Sequence, residues 1–479
     1  MPNQSQKEFL VVKGPQRSAL YDLVKGRVYS IPGTFASHLT PYIYSPETEA
    51  PAKGPVGPLS FLFLELTHRC NLQCRHCYVS AKAEPSTDQG LNLKDWTEIL
   101  DSAHGLGCRS VQFTGGEPLL FPDLRPLVLS ALSIGYDSVE IFSNGTLLQG
   151  DEWRDFPRDK VCFALSLYSC EDNVHDTITG VAGSHKRTCE AFHQLKEMEY
   201  LVRIGYILFE ENLPHDQATR DFVLELTGDP DQAIPDMVRP SGRGRDCGLQ
   251  TQHRVNHPRG VSYIEFQPEP GRAFAYKPTC WKGKLAITPE GAVIPCIFSR
   301  NFVLGDLRES SLEEIIDSQK AKGLWNITLE DVTVCKYCEY RYACSDCRSI
   351  AETTTGDLYA KNPACRYDPN SKDQGTPMKR NTEKPITISP KLIPKQRSGL
   401  NIKDLKEEIL ILSPETKGVH LLNLTSAFIL ECCDGTRSVE AIVEEIMGTF
   451  HMSPDQRDRV SQDVYDTLKR FAGLGIITG

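Results

Sequence analysis

Three cysteines stand close together in residues 61–80, FLFLELTHRCNLQCRHCYVS. Cys70, Cys74 and Cys77 have the spacing C-x-x-x-C-x-x-C. Three thiolates can hold three irons of a 4Fe–4S cube and leave the fourth iron without a protein ligand. A small molecule can bind an open iron, which makes such a site a place for chemistry. A structural zinc site is the other reading of the same residues. Zinc wants a closed set of four, and His68 or His76 can supply the fourth ligand.

A second set of chemistry-bearing residues recurs downstream at strand ends. Apolar runs predict strands over 61–66, 110–114, 138–143, 161–167, 201–209 and 236–240, with amphipathic stretches between them. In residues 93–106, for example, Leu93, Trp96, Ile99, Leu100 and Ala103 share one helical face. Strand–helix alternation of this length implies α/β architecture, a parallel sheet with helices outside. Six such units do not close an eight-stranded barrel. Ligands of parallel α/β folds sit at the carboxyl ends of strands. The cysteine loop, Gly115-Gly116-Glu117-Pro118, Ser143-Asn144-Gly145 and Ser166 all fall at such ends. Gly115 and Gly116 would let the backbone approach a ligand closely.

Seven more cysteines follow in residues 260–367: Cys280, Cys296, Cys335, Cys338, Cys344, Cys347 and Cys365, with Gly291 between the first two. C-x-x-C pairs suit iron–sulfur clusters, and they suit zinc ribbons equally. The remaining Cys108, Cys162, Cys170 and Cys189 lie in or beside predicted strands and helices and read as packing. Cys247, in RPSGRGRDCG, reads as a residue that faces a cavity.

Composition bounds the rest. A chain of 479 residues is expected to hold two to four domains. Seventeen cysteines without a recognisable signal peptide point to a reduced cytoplasm and to metal rather than disulfides. No apolar run is long enough to span a bilayer, so no membrane partner is expected. A net charge of −10 argues against nucleic acid as the partner.

Both ends carry smaller units. Residues 1–60 read as a β-rich extension and connector, expected to extend an edge of the main sheet. Residues 368–398 are rich in proline, lysine, serine and threonine and read as a mobile linker. Residues 399–479 contain two short strands around residues 414–417, then three helices. Residues 453–456 form a capping box with proline at the first position of the last helix. Val460, Val464, Leu468 and Phe471 form its apolar stripe. The acidic helices speak against a DNA-reading winged helix.

The three-cysteine motif after a strand, with GGEP after the next strand, resembles the radical SAM superfamily. His76 stands where an aromatic often precedes the third cysteine. The resemblance implies a partial (β/α)6 TIM-type barrel over residues 61–245. It implies that the open iron chelates S-adenosylmethionine, whose reductive cleavage releases a 5′-deoxyadenosyl radical. The catalytic ligands would be Cys70, Cys74 and Cys77, and the cofactor-binding residues Gly115, Gly116, Glu117, Pro118, Asn144, Ser166 and Arg187. Glu117 would hold the methionine ammonium, Ser166 the ribose hydroxyls, and Arg187 or Lys186 the carboxylate. His175-Asp176 also follows the family pattern and reads as a helix entrance rather than an acid–base pair.

Residues 260–367 resemble the SPASM domain, which binds two auxiliary iron–sulfur clusters. Carried over, Cys335, Cys338, Cys344 and Cys365 would hold the outer cluster, and Cys280, Cys296 and Cys347 the inner one. One departure stands out: two residues separate Cys344 from Cys347 where the family usually has three. Residues 399–479 resemble PqqD-like domains, also called RiPP recognition elements, small winged-helix units that bind the leader of a ribosomally made precursor. Together these resemblances imply a peptide maturase that installs an intrapeptide crosslink, thioether or carbon–carbon. Its implied partners are a precursor peptide or small protein substrate and a reductase such as flavodoxin or ferredoxin. Another SPASM-type radical SAM enzyme is the alternative: a sulfatase-maturing-like oxidase, a peptide epimerase or a tetrapyrrole-modifying enzyme.

Overall fold

The computed structural model describes residues 9–23, 26–33, 58–83, 90–208, 210–247, 263–265, 279–344, 346–365, 367–370, 388–405, 408–413 and 418–478. The chain begins with β1 (Phe9–Lys13), β2 (Arg17–Asp22) and β3 (Arg27–Pro32), an antiparallel meander. Five parallel strands follow: β4 (Phe61–Glu65), β5 (Ser110–Thr114), β6 (Ser138–Ser143), β7 (Val161–Ser166) and β8 (Leu201–Gly205). Helices at Leu93–Gly105, Leu124–Ile134, Asp172–Thr179, Ser184–Glu197 and Asp216–Thr227 lie among them. The first is started by a capping box between Asn92 and Asp95, and it buries Trp96, Ile99, Leu100 and Ala103.

The expected sixth strand is reduced to two residues. β9 (Ile207–Leu208) continues β8 past Tyr206, and β10 (Asp236–Met237) pairs with it in parallel, outside the main sheet. Pro235 and Pro240 bracket this segment, and proline has no N–H to offer a longer ladder. β11 (Tyr263–Glu265) joins β3 instead.

The other edge of the sheet grows beyond the expected barrel. β12 (Lys284–Ile287) pairs in parallel with β4, and β13 (Ala292–Ile294) and β14 (Gly305–Asp306) add antiparallel strands. The order is β14-β13-β12-β4-β5-β6-β7-β8. The stretch between Cys280 and Cys296 is therefore woven into the barrel sheet, beside the strand that launches the first cysteine loop.

The N-terminal strands are not an edge of that sheet, as the sequence led us to expect. They form a separate sheet, β1-β2-β3-β11. Strand alternation gives this sheet two apolar faces. Leu10, Val12, Ala19, Tyr21 and Val28 pack against Cys338, Tyr340, Tyr342 and Tyr367. Phe9, Val11, Leu20, Tyr29 and Ile31 pack against Leu405, Leu410 and Leu412. A sheet buried on both faces is spent as a spacer between two layers.

The last unit has a three-stranded antiparallel sheet, β15 (Asn401–Asp404), β16 (Glu408–Ser413) and β17 (Gly418–Asn423), and a short antiparallel pair between Lys395–Gln396 and Ile477–Thr478. The first was not foreseen, because NIKD has one apolar residue and that residue, Ile402, is exposed. Helices Leu424–Cys432, Val439–Thr449 and Arg457–Gly473 close the unit over Ile442, Val443, Ile446, Val460, Val464, Leu468 and Phe471. Cys432 and Cys433 are both buried in it. Part of the expected linker, 371–387, lies outside the described residues. Beyond it, Leu392 packs on this core, and Gln396 N–H donates to Cys433 O at 2.7 Å.

Candidate active site

The cysteine loop leaves β4 and is pinned from both sides by backbone bonds. Cys70 N–H donates to Lys82 O at 2.9 Å, and Gln73 N–H to Thr179 O at 2.8 Å. Two thiols receive backbone donors: Leu72 N–H reaches Cys70 Sγ at 3.4 Å, and Ala81 N–H reaches Cys77 Sγ at 3.2 Å. Burial pushes the Cys70 thiol up to about 11. Burial also raises Cys74, and its neighbours Cys70 and Cys77 add to the rise. The raised Cys70 and Cys74 thiols, with Cys77 beside them, suit a shared cation, and metal binding would release their protons. Among the described residues no three His, Cys, Asp or Glu side chains converge tightly enough for a single metal ion. An iron–sulfur cube takes its thiolates at separate corners rather than on one ion.

The two glycines serve this loop. A Cβ on Gly115, at φ +133°, would fall 2.4 Å from Thr67 O, and one on Gly116 would fall 2.1 Å from Arg69 O. Their N-terminal neighbour strand is thus clamped onto the cysteine loop, with Gly116 N–H donating to Thr67 O at 2.6 Å. The close approach is to the protein's own backbone. Pro118 is buried at the start of a short turn, Pro118–Leu120.

Glu117 is fully buried. Its carboxylate accepts from Ser143 Oγ at 2.7 Å, Asn144 N–H at 2.8 Å and Leu119 N–H at 3.1 Å. Burial nevertheless raises its pKa to about 7. Asn144 Nδ2 donates to Asn71 Oδ1 at 2.9 Å and lies 3.9 Å from Cys70 Sγ. Glu117 and Asn144 thereby join the ends of β5 and β6 to the cysteine loop. Ser166 ends β7, half-buried at the same rim. The structure does not bring Arg187 to this cluster of contacts: its guanidinium lies 3.5 Å from Ala182 O on its own helix entrance. Lys186 faces Glu190 at 3.8 Å and is exposed. His175 accepts from Tyr168 N–H at 3.1 Å, and Asp176 caps the next helix through Ser184 Oγ at 2.8 Å and His185 N–H at 2.9 Å. These are bonds of a helix entrance.

Three contributors were not singled out from the sequence. Arg243 Nε donates to Cys74 O at 2.9 Å and Nη1 to Ala81 O at 2.8 Å, so one side chain spans the loop. The signal was present in RPSGRGRDCG, where a Cβ on Gly242 would lie 2.4 Å from Cys77 O. Cys247, from the same stretch, sits with its thiol 3.4 Å from Arg75 O. Tyr168 places its hydroxyl 3.0 Å from His76 Nε2. Burial raises its pKa well above the usual value, and the three thiols beside it raise it further. Burial lowers His76 to about 3, so this ring is neutral. Finally, Arg300 reaches both oxygens of the buried Glu65 at 2.7 and 2.8 Å, tying the loop after Cys296 to the end of β4.

The downstream cysteines fall into two neighbourhoods. Cys280 is exposed by area, yet burial of its thiol and then the thiols of Cys347 and Cys296 push it up to about 12. Cys335, Cys338, Cys344 and Cys365 line one cavity, with Arg341, Lys361 and Tyr367. Burial raises Cys335 to about 11. Cys280 thus lies near Cys296 and Cys347, and the other four thiols surround the one cavity.

Three family models match the chain in succession. Residues 64–223 match the radical SAM superfamily, 280–348 an iron–sulfur cluster-binding domain (SPASM), and 408–477 coenzyme PQQ synthesis protein D (PqqD). Similar curated proteins include the antilisterial bacteriocin subtilosin biosynthesis protein AlbA of Bacillus subtilis, 29% identical over 56% of this chain and 61% of the relative. The PqqA peptide cyclase of Streptomyces rochei is 27% identical over 66% of this chain and 91% of its own length. The AdoMet-dependent heme synthase of Oleidesulfovibrio alaskensis is 23% identical over 64% and 87%. The solved structure of Streptococcus suis SuiB bound to S-adenosylmethionine aligns with a TM-score of 0.46 at 15% identity, covering 76% of this chain and 99% of that one. Among the described residues no helix is long and apolar enough to cross a membrane. The chain thus carries, in this order, a radical SAM domain, a SPASM iron–sulfur domain and a PqqD domain.

Proposed function

We propose that this enzyme installs an intrapeptide crosslink, thioether or carbon–carbon, in a ribosomally made precursor peptide or small protein. In this reading residues 61–245 form the radical-generating barrel, 260–367 the auxiliary-cluster domain and 399–479 the leader-binding domain. Cys70, Cys74 and Cys77 hold the catalytic cluster. When bound there, S-adenosylmethionine and the cluster supply a 5′-deoxyadenosyl radical that removes a hydrogen atom from the substrate. The chain's own residues position and exclude. Gly115, Gly116 and Arg243 hold the cysteine loop, and the buried Glu117 and Asn144 fix the rim of the sheet beside it. Tyr168 and His76 cover the thiols with a neutral, water-poor surface. The auxiliary ligands are Cys280, Cys296 and Cys347 in one set and Cys335, Cys338, Cys344 and Cys365 in the other. The clusters that these residues would hold would supply a sink for the electron released on oxidative bond formation, and a reductase such as flavodoxin or ferredoxin would prime the catalytic cluster.

One observation carries this reading. The PqqD-matching unit is packed through the N-terminal sheet onto the loops that hold Cys338 and Cys365. A peptide held by that unit is thereby tethered to the catalytic chain, which raises its local concentration. The likeness to a bacteriocin biosynthesis protein and to PqqA peptide cyclases supports a peptide substrate. The likeness to heme synthases supports the second reading, a tetrapyrrole-modifying enzyme.

High-resolution mass spectrometry decides between them. A small precursor encoded beside the gene is co-expressed anaerobically with the enzyme. Loss of two hydrogens, mapped between two residues, is the expected result. An unchanged mass in ordinary water, with a gain of one deuterium at a single Cα when the reaction is run in heavy water, would indicate epimerisation. An unmodified peptide together with turnover of a tetrapyrrole would favour the second reading.

A further inference from the structure

Arg348 has no exposed surface. It follows Cys347, whose link to Cys344 is one residue shorter than the resembled pattern. In the fold that short link joins one thiol of each downstream neighbourhood. The residues flanking Cys347 form a buried ion pair, with Arg348 Nε donating to the Asp346 carboxylate. Nη1 donates to Leu358 O at 2.9 Å and Ala360 O at 2.7 Å. Nη2 is buried and has no hydrogen-bond partner among the described residues.

A guanidinium carries five N–H donors. Leaving the Nη2 pair unmet in the interior is unfavourable unless something not made of protein accepts them. The surroundings say what that is. Arg348 interacts electrostatically with Cys335 of the four-thiol cavity and with Cys347 of the other group. Its backbone N–H, not its guanidinium, is directed at the Cys280 thiol, and Asp346 acts on both Cys280 and Cys335. The pair therefore stands between the two cysteine sets.

We propose that Arg348 donates through Nη2 to the sulfur of an auxiliary cluster, and that its fixed charge raises the reduction potentials of both. This rests on the assignment of the seven cysteines to two clusters. Hydrogen bonds to cluster sulfur and nearby charge set such potentials, and a cation favours the more negative, reduced state. A merely structural arginine, serving only to hold the 358–360 turn, would affect cluster loading but not the potential of clusters once loaded.

The test uses full-length protein with Cys70, Cys74 and Cys77 changed to alanine, so that only auxiliary clusters remain. Their midpoint potentials are read by redox titration followed by electron paramagnetic resonance. Arg348→Gln should shift both downward, Arg348→Lys should restore most of the shift, and Asp346→Asn should move both upward. Unchanged potentials in loaded Arg348→Gln overturn the proposal. If that variant does not keep its clusters, Asp346→Asn decides, and an unchanged potential there overturns it equally. A parent protein that retains no iron after loss of the three cysteines would instead refute the cluster assignment itself.

Discussion

The hydroxyl of Tyr21 donates to the backbone carbonyl of Glu339 at 2.8 Å, across 318 residues of chain. Glu339 follows Cys338, and its carboxylate also receives the hydroxyl of Tyr367, two residues after Cys365. The opposite face of the Tyr21 sheet carries Val11 and Leu20 against Leu410 and Leu412 of the PqqD-matching unit. One small sheet thus grips a cysteine-bearing loop with one face and the PqqD-matching unit with the other.

Breaking the second grip should uncouple recognition from chemistry. Val11→Asp places an unpaired carboxylate at a position that is 2% exposed. The cost is roughly several kcal/mol at that interface. Precursor turnover should fall at least tenfold, while cofactor cleavage without peptide stays near its parent level. Hydrogen exchange in 399–479 should quicken. Unaltered turnover would show that the sheet is only a packing element.

The cysteine trio can be tested by removing one member. Cys74→Ala should abolish 5′-deoxyadenosine formation while the auxiliary iron remains, as read by iron analysis and Mössbauer spectroscopy. Undiminished cleavage would sink the assignment of the catalytic cluster.

Gly116→Ala removes no ligand, yet its new Cβ would fall 2.1 Å from Arg69 O. Backbone on both sides has to move, with a loss of about 3 kcal/mol or more, in the range of other overpacking and strain changes. We expect the variant to lose iron equivalent to the first cluster and to keep the rest. Full iron loading with normal cleavage would contradict the clamp described above.

Glu117 predicts a pH effect. Its folded-state pKa is raised by burial to about 7, above the ordinary 4.5. Between those values the folded protein holds a proton that the unfolded chain has released. Its stabilising contribution is therefore full below about pH 4.5 and is lost as pH rises through about 7. The change amounts to about 3 kcal/mol. Denaturant titrations of metal-free protein across this window should show a decline that Glu117→Gln flattens. Parallel curves for the two proteins would mean that Glu117 is ionised throughout.

Much of this protein was legible in the order of its residues. Strand periods, the C-x-x-x-C-x-x-C spacing, the GGEP turn and the later cysteines are local patterns, and local patterns survive in one dimension. The apolar stripe of the last helix and its capping box are of the same kind. What the order of residues left open were contacts between distant segments. Nothing local marks Arg243 as the residue that spans the cysteine loop, because its partners are backbone carbonyls. The glycines of GGEP were expected to approach a ligand, and only the folded chain reveals Thr67 and Arg69 against them. The N-terminal strands read as an edge, since alternation reports that a strand has faces but not what covers them. Tertiary packing decided that both faces are covered, one by a cysteine-bearing loop and one by the PqqD-matching unit, because burying apolar area on two sides is favoured over leaving either in water.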